Sequence, residues 1–359
     1  MYLCKMKTQL FDNNVDFLNS ILNDVENAKQ SILIEMYRII NDEVGERLAE
    51  ALIEKCKQGV EVRLLLDAYG SIKFEPLAKR IREHNGDVRF FKKLKVFLIS
   101  TFSKNNSRNH RKLIVIDDKI VYFGSSNLTG YSSAWRDLIL RIEGDFASVF
   151  RPIFEKSYEL HKFYDIDSFE RVQPVVYKDF RIIQDTPSWY FQSIRNHFLH
   201  LIRNAKSEII IETPYFLPGY AIRKALMNAA QKRGVTVKIL IPLYSDMRTI
   251  DLLRNKYLGQ FHKNGVQLLF YTPNNLHAKC MLVDGQRFSV GSSNFDYRSF
   301  RYQFEIMISG KDQEVVRLLS DHLQKTEAQC VPFDYEVWEN RGTITKFVEW
   351  LMFPIRKLF

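Results

Sequence analysis

The stretch from Lys29 through Val62 reads against Lys206 through Val237 as the same succession: a strand, a helix, a Gly-Val pair and a second strand. A chain that repeats itself in this way is built from duplicated units, and that constrains its fold before any single residue does. The offset between copies is 177 at Glu35 and Glu212, 175 at Gly59 and Gly234, and 167 at His110 and His277, so small insertions separate the matched elements. In the first copy Ile32 to Tyr37 is apolar and strand-like, Val44 to Lys57 has helical spacing at Val44, Leu48, Ala51 and Leu52, and Val60 to Leu66 is a near-continuous apolar run. Strands alternating with helices and buried on both faces predict an α/β fold. At 359 residues, with roughly 100 to 200 per domain, two domains are expected. Their spans are 1–172 and 173–335, followed by a tail at 336–359; the seam falls where the polar run Asp165 to Lys178 interrupts the pattern.

The repeat carries chemistry. His110-Arg111-Lys112-Leu113-Ile114-Val115-Ile116-Asp117 recurs as His277-Ala278-Lys279-Cys280-Met281-Leu282-Val283-Asp284, and each copy is followed by Gly-Ser-Ser-Asn. Side chains alternate faces along a strand, so His110 shares a face with Lys112 and His277 with Lys279. Asp117 and Asp284 fall on the opposite parity, where their expected task is to anchor strand ends. If Asp118-Lys119 and Gly285-Gln286 are two-residue hairpin loops, cross-strand partners sum to 237 and 571. That register sets Asn127 opposite His110 and Ser125 opposite Lys112, and likewise Asn294 opposite His277 and Ser292 opposite Lys279. A nucleophile, a cation, a hydroxyl and an amide on one patch suit an oxyanion, which makes Ser125, Asn127, Ser292 and Asn294 candidate phosphate-binding groups.

These residues resemble the phospholipase D superfamily, whose signature is His-x-Lys-x4-Asp with a trailing Gly-Ser-x-Asn. Within it the flanks are similar to bacterial cardiolipin synthases: Arg108-Asn109-His110-Arg111-Lys112, Trp135-Arg136-Asp137, and Thr213-Pro214-Tyr215-Phe216-Leu217-Pro218. The resemblance covers roughly residues 7 to 310. It implies two phospholipase D-type domains, each a mixed sheet flanked by helices, packed around one shared active site, with His110, Lys112, Asp117, His277, Lys279 and Asp284 as the catalytic set. It also implies that Asp137 and Glu305, ten and eleven residues after Asn127 and Asn294, hydrogen-bond the motif histidines.

One histidine is expected to attack phosphorus and form a phosphohistidine while the other protonates the departing alkoxide; the second then activates the incoming hydroxyl. An unperturbed pKa of about 6.5 suits both tasks. Superfamily precedent prefers His110 as nucleophile. The implied reaction moves a phosphatidyl group from phosphatidylglycerol to a second lipid hydroxyl, giving cardiolipin and glycerol. No metal or other cofactor is needed for it. Gln303 stands where many relatives have Asn, two residues before the acidic position.

A formal charge of +10, with 46% hydrophobic and 13% aromatic residues, fits a partner that is anionic without choosing between lipid and DNA. No signal peptide is evident in the first residues, and no uncharged run reaches the ~18 residues of a membrane span. The expected location is therefore peripheral, at the cytoplasmic face of the membrane. Two segments could dock there. Loop 92–109 sets Val96, Phe97, Leu98, Ile99 and Phe102 among five basic residues, and in the tail Ile344, Phe347, Val348, Leu351, Met352, Ile355, Leu358 and Phe359 follow helical spacing with a kink at Pro354. Packing against the globular body explains the same tail periodicity. Cys4, Cys56, Cys280 and Cys330 form no Cys-x-x-Cys pair and are expected as reduced thiols. His197 with His200 lacks a carboxylate at ligand spacing and reads as packing. Hydrolytic and nucleolytic phosphodiesterases share the motifs and remain the alternatives, as does an inactive module that binds anionic lipid. Two motifs in one chain count against the nuclease, so no nucleic acid partner is expected.

Overall fold

A computed structural model describes residues 6–91, 107–161 and 171–359. The chain divides into two compact units, Met1–Arg171 with Gln303–Ile306, and Val172–Tyr302 with Met307–Phe359.

Unit 1 contains strands β1 (Lys7–Phe11), β2 (Ser31–Met36), β3 (Glu61–Asp67), β4 (Asp87–Phe91), β5 (Arg108–Asn109), β6 (Lys112–Ile116), β7 (Ile120–Gly124) and β8 (Ile139–Glu143). Its helices are α1 (Asn14–Asn27), α2 (Glu43–Lys57), α3 (Glu75–Glu83) and α4 (Phe150–Glu159). The sheet order is β1-β8-β7-β6-β2-β3-β4, with β2, β3 and β4 parallel and the rest antiparallel. All six residues of β2 are buried, as a strand covered on both faces must be. The helix α2 begins where the Asp42 side chain accepts from Gly45 N–H and ends before Gly59, whose φ of 79° turns the chain into β3. That helix presents Leu48, Ala49, Leu52 and Ile53 to a core shared with Ile32, Ile34, Leu64 and Leu66.

Unit 2 repeats the plan with β9 (Val175–Tyr177), β10 (Phe180–Asp185), β11 (Glu208–Glu212), β12 (Thr236–Pro242), β13 (Gln267–Tyr271), β14 (Cys280–Val283), β15 (Arg287–Gly291), β16 (Gln303–Gly310) and β17 (Cys330–Pro332). Its helices are α5 (Ser193–Asn204), α6 (Tyr220–Arg233), α7 (Arg248–Lys263), α8 (Tyr297–Tyr302), α9 (Gln313–Glu327), α10 (Tyr335–Glu339) and α11 (Thr343–Met352). The run β16-β15-β14-β11-β12-β13 has the order of β8-β7-β6-β2-β3-β4, and Gly234 closes α6 at φ 67° as Gly59 follows α2. Both units are thus α/β, as the repeat predicts, and each is the mixed sheet flanked by helices that the family resemblance implies. The first four residues of β16, Gln303–Ile306, belong to unit 1, where Gln303 and Phe304 pair in parallel with Arg108 and Asn109.

The hairpin register differs from the predicted one. Ile116 stands opposite Ile120 and Val283 opposite Arg287, so partners sum to 236 and 570. The cause is backbone geometry: Asp117 and Asp118 have φ of 53° and 54°, and Asp284 and Gly285 have 55° and 61°. Two successive left-handed residues make a primed turn, closed by Lys119 N–H to Ile116 O and Gln286 N–H to Val283 O, each at 3.0 Å. The turn therefore begins one residue earlier than the spacing suggests, and one residue of the return strand is left over. Ser125, Asn127, Ser292 and Asn294 accordingly do not stand directly opposite Lys112, His110, Lys279 and His277. Leu113 stands opposite Phe123, a register that continued by one residue sets Lys112 against Gly124, and Lys279 O accepts from Gly291 N–H.

The tail packs one face of α11 and the turn after it on unit 2. Met352, Phe353 and Phe359 join its core, Phe359 O accepts from Arg298 N–H at 3.0 Å, and Arg341 holds buried Glu349 through two bonds of 2.9 and 2.7 Å. The opposite face exposes Ile344, Phe347, Trp350 and Leu351, each by more than half. Pro354 lies in the final 3-10 turn, Phe353–Leu358. Among the described residues no helix is long and apolar enough to cross a membrane. Of loop 92–109, residues 92–106 lie outside the described residues, as does Cys4.

Candidate active site

The first motif is presented by a polar floor at the carboxyl ends of β2 and β3. Glu35, on β2, and Asp67, at the end of β3, are fully buried. Asp67 accepts from the N–H groups of Tyr69, Gly70 and Asn109 at 2.9, 3.0 and 2.9 Å. Glu35 accepts from Asn109 Nδ2 at 2.7 Å, and Arg111 N–H donates to Asn109 Oδ1 at 3.2 Å. Asn109 is thereby fastened at its backbone and at both ends of its amide. Burial raises the carboxyl pKa of Glu35 and of Asp67, against the opposing pull of Arg111 on the first and Arg108 on the second. Sequence reasoning noted Glu35 only as a repeat landmark and missed Asp67 and the clamp on Asn109; the Asn directly before the motif histidine was the available signal.

Held in this way, His110 donates its backbone N–H to Phe304 O at 3.0 Å and sets its ring against Glu305. Nδ1 lies 2.9 and 3.2 Å from the two carboxylate oxygens, with the His110 side chain 9% and the Glu305 side chain 0% exposed. A carboxylate at Nδ1 fixes the tautomer: Nδ1–H donates, and the lone pair resides on Nε2, which can act as nucleophile or base. The two residues are 195 apart in sequence, so the carboxylate that orients the first histidine comes from the second copy of the repeat. The Tyr37 ring meets His110 edge-on at 5.0 Å, and Lys112 Nζ lies 5.2 Å from that ring's centre while donating to His110 O at 2.7 Å.

The second motif repeats the local geometry. Lys279 Nζ donates to His277 O at 2.7 Å, and both residues are buried. Glu212, the counterpart of Glu35, binds His322 Nε2 at 2.8 Å and Thr326 at 3.2 Å on α9, with the buried Cys280 thiol at 3.6 Å. Asp137 is fully buried and accepts from the Ser125 hydroxyl, which also accepts from Leu138 N–H at 3.0 Å. The Ser125 hydroxyl is thus committed to supporting a carboxylate. Asn127 and Asn294 are buried in matching places, and Oδ1 of each has no hydrogen-bond partner. Turned end for end, such an amide offers N–H donors to a ligand oxygen.

Asp117 and Asp284 sit at the far ends of their strands. Asp117 accepts from the N–H groups of Lys29, Gln30 and Ser31 at 2.9, 2.7 and 2.9 Å. Asp284 takes those of Lys206, Ser207 and Glu208 at 3.0, 2.7 and 3.1 Å. Burial alone would raise both carboxyls, but the backbone donors outweigh it and hold each below the usual range. These two side chains tie the motif hairpins to the starts of β2 and β11. His197 is largely enclosed, its Nε2 lacks a partner, and burial together with Arg181 and His200 pushes its pKa down to about 4. Among the described residues no group of three His, Cys, Asp or Glu side chains could hold a metal ion.

The family described as "Cardiolipin synthase, PLD-like domain" matches residues 21–157 and 198–326. The probable cardiolipin synthase YwiE of Bacillus subtilis is 32% identical over 89% of this chain and 66% of its own length, and a cardiolipin synthase of Listeria monocytogenes is 30% identical over 96% and 73%. The chain thus spans about two thirds to three quarters of these relatives. The fold matches the crystal structure of phosphatidylserine synthase from Haemophilus influenzae at a TM-score of 0.75, covering 98% of this chain and 95% of that one at 13% identity. With both copies of its repeat matched, the chain belongs to the cardiolipin synthase, PLD-like domain family, a family of phosphatidyltransferases in the phospholipase D superfamily.

Proposed function

We propose that this chain makes cardiolipin by moving a phosphatidyl group from phosphatidylglycerol to the hydroxyl of a second phosphatidylglycerol, through a covalent phosphohistidine. His110 Nε2 attacks phosphorus and the bond to glycerol breaks, His277 giving that alkoxide its proton. The acceptor hydroxyl then loses its proton to His277, its oxygen bonds to phosphorus, and the bond to His110 breaks. Lys112, Lys279, Asn127 and Asn294 neutralise the phosphoryl oxygens as charge builds on them. The observation that carries this reading is the buried pair of His110 and Glu305, which aims one ring nitrogen and supports the positive charge that the ring acquires.

Transfer in place of hydrolysis requires an acceptor that outcompetes water, which a lipid surface supplies. The outward face of α11, with Trp350 among Ile344, Phe347 and Leu351 and with Lys346, Arg356 and Lys357 nearby, suits an anionic bilayer interface. It supports peripheral attachment to a membrane, and the cytoplasmic face is the side we propose.

The test is to incubate purified protein with phosphatidylglycerol vesicles in chelator and follow lipids and glycerol by mass spectrometry. Cardiolipin and glycerol in equal amounts are expected, and His110→Ala and His277→Ala should each lower turnover at least about a thousandfold. Phosphatidic acid as the sole product would make the chain a hydrolase.

A further inference from the structure

We propose that Arg108 and Tyr69 form a second phosphate subsite beside the reaction centre, which takes the phosphodiester of the acceptor lipid; this rests on the transferase reading above. Arg108 is 2% exposed, and its Nη1 is buried without a hydrogen-bond partner. A guanidinium withdrawn from water normally has its donors met, because each unmet donor loses the hydration it gave up. The charge of Arg108 acts on Asp67, yet both oxygens of Asp67 already accept from backbone N–H groups. Arg108 is therefore a desolvated cation with one guanidinium nitrogen, Nη1, still to be met, and its charge suits a phosphodiester.

Its position matches an acceptor. Arg108 precedes His110 by two residues in extended chain, and Asn109 between them is drawn the other way, to Glu35. The guanidinium lies over the Tyr69 ring at 5.4 Å, as Lys112 lies over Tyr37 at 5.2 Å. Tyr37 and Tyr69 follow the carboxyl ends of the adjacent parallel strands β2 and β3. Two cation–aromatic pairs thus stand side by side, one at the reactive histidine and one a strand away. Neighbouring strands lie about 4.8 Å apart, within reach of the three-carbon bridge that joins the two phosphates of the product. The exposed Tyr69 ring gives the lipid glycerol a surface to lie on.

The experiment offers the full chain phosphatidylglycerol vesicles with ethanol as a competing acceptor that carries no phosphate. Cardiolipin and phosphatidylethanol are measured from the same incubation. Arg108→Gln should lower the ratio of cardiolipin to phosphatidylethanol by at least about tenfold, the loss of a charge-assisted contact made only to the phosphate-bearing acceptor. Arg108→Lys, which keeps the charge and is the safer variant for folding, should recover part of the ratio. If either variant melts with wild type and lowers both products in proportion, Arg108 serves the donor or the scaffold and the subsite is overturned. If wild type makes neither product, the transferase reading falls and the subsite with it.

Discussion

Two carboxylate arrangements at single residues set reactivity and stability apart. Glu305 acts on the ring of His110, so Glu305→Gln leaves shape and burial almost unchanged while removing the charge that fixes the tautomer and balances the imidazolium. Turnover should fall by about 10²–10⁴-fold with the melting temperature nearly constant, read by product assay and calorimetry. Asp117 and Asp284 act on strand ends. Their folded pKa values lie below the unfolded ones, so the stability they add is present above about pH 4 and is lost as pH falls through the folded values. Asp284→Asn should lower stability near pH 7 by roughly 1–2 kcal/mol and flatten its decline in acid, measured by urea midpoints at pH 3 to 7. Motif spacing and parity made both aspartates legible as anchors. Duplication nominated Glu305, but the ring it serves depends on chain packing across 195 residues, which no local pattern encodes.

Periodicity served elements well where burial sets them. Ile32–Tyr37, Val44–Lys57 and Val60–Leu66 were legible to within about a residue of β2, α2 and β3, because a buried strand and an amphipathic helix write themselves into the spacing of apolar residues. The hairpin register was not, since it turned on the sign of φ at Asp117 and Asp284, where a carboxylate already engaged with a strand end stabilises the left-handed turn. The tail is an intermediate case. Its spacing showed a helix, but two apolar faces share that spacing, and only packing separates Met352, turned inward, from Ile344, Phe347, Trp350 and Leu351, turned outward. Phe347→Glu with Leu351→Glu should therefore abolish sedimentation with anionic vesicles while leaving the melting temperature within a few degrees, because neither side chain supports the core. Retention on vesicles would assign the lipid contact elsewhere.

At the scale of the whole molecule, the repeat gives two sheets of one strand order, yet Gln303–Ile306 of the second copy are built into the first unit. This has a consequence for synthesis. A ribosome making about 5–20 residues per second delivers Glu305 on the order of tens of seconds after His110. During that interval the nascent first half carries its histidine without the carboxylate that arms it. A chain ended before residue 305 stays in the same state. On the phosphohistidine reading proposed above, a chain not yet made to residue 305 would hold His110 without its orienting carboxylate, so the first half alone would take up no phosphatidyl group before the second histidine, made earlier than Glu305, is in place.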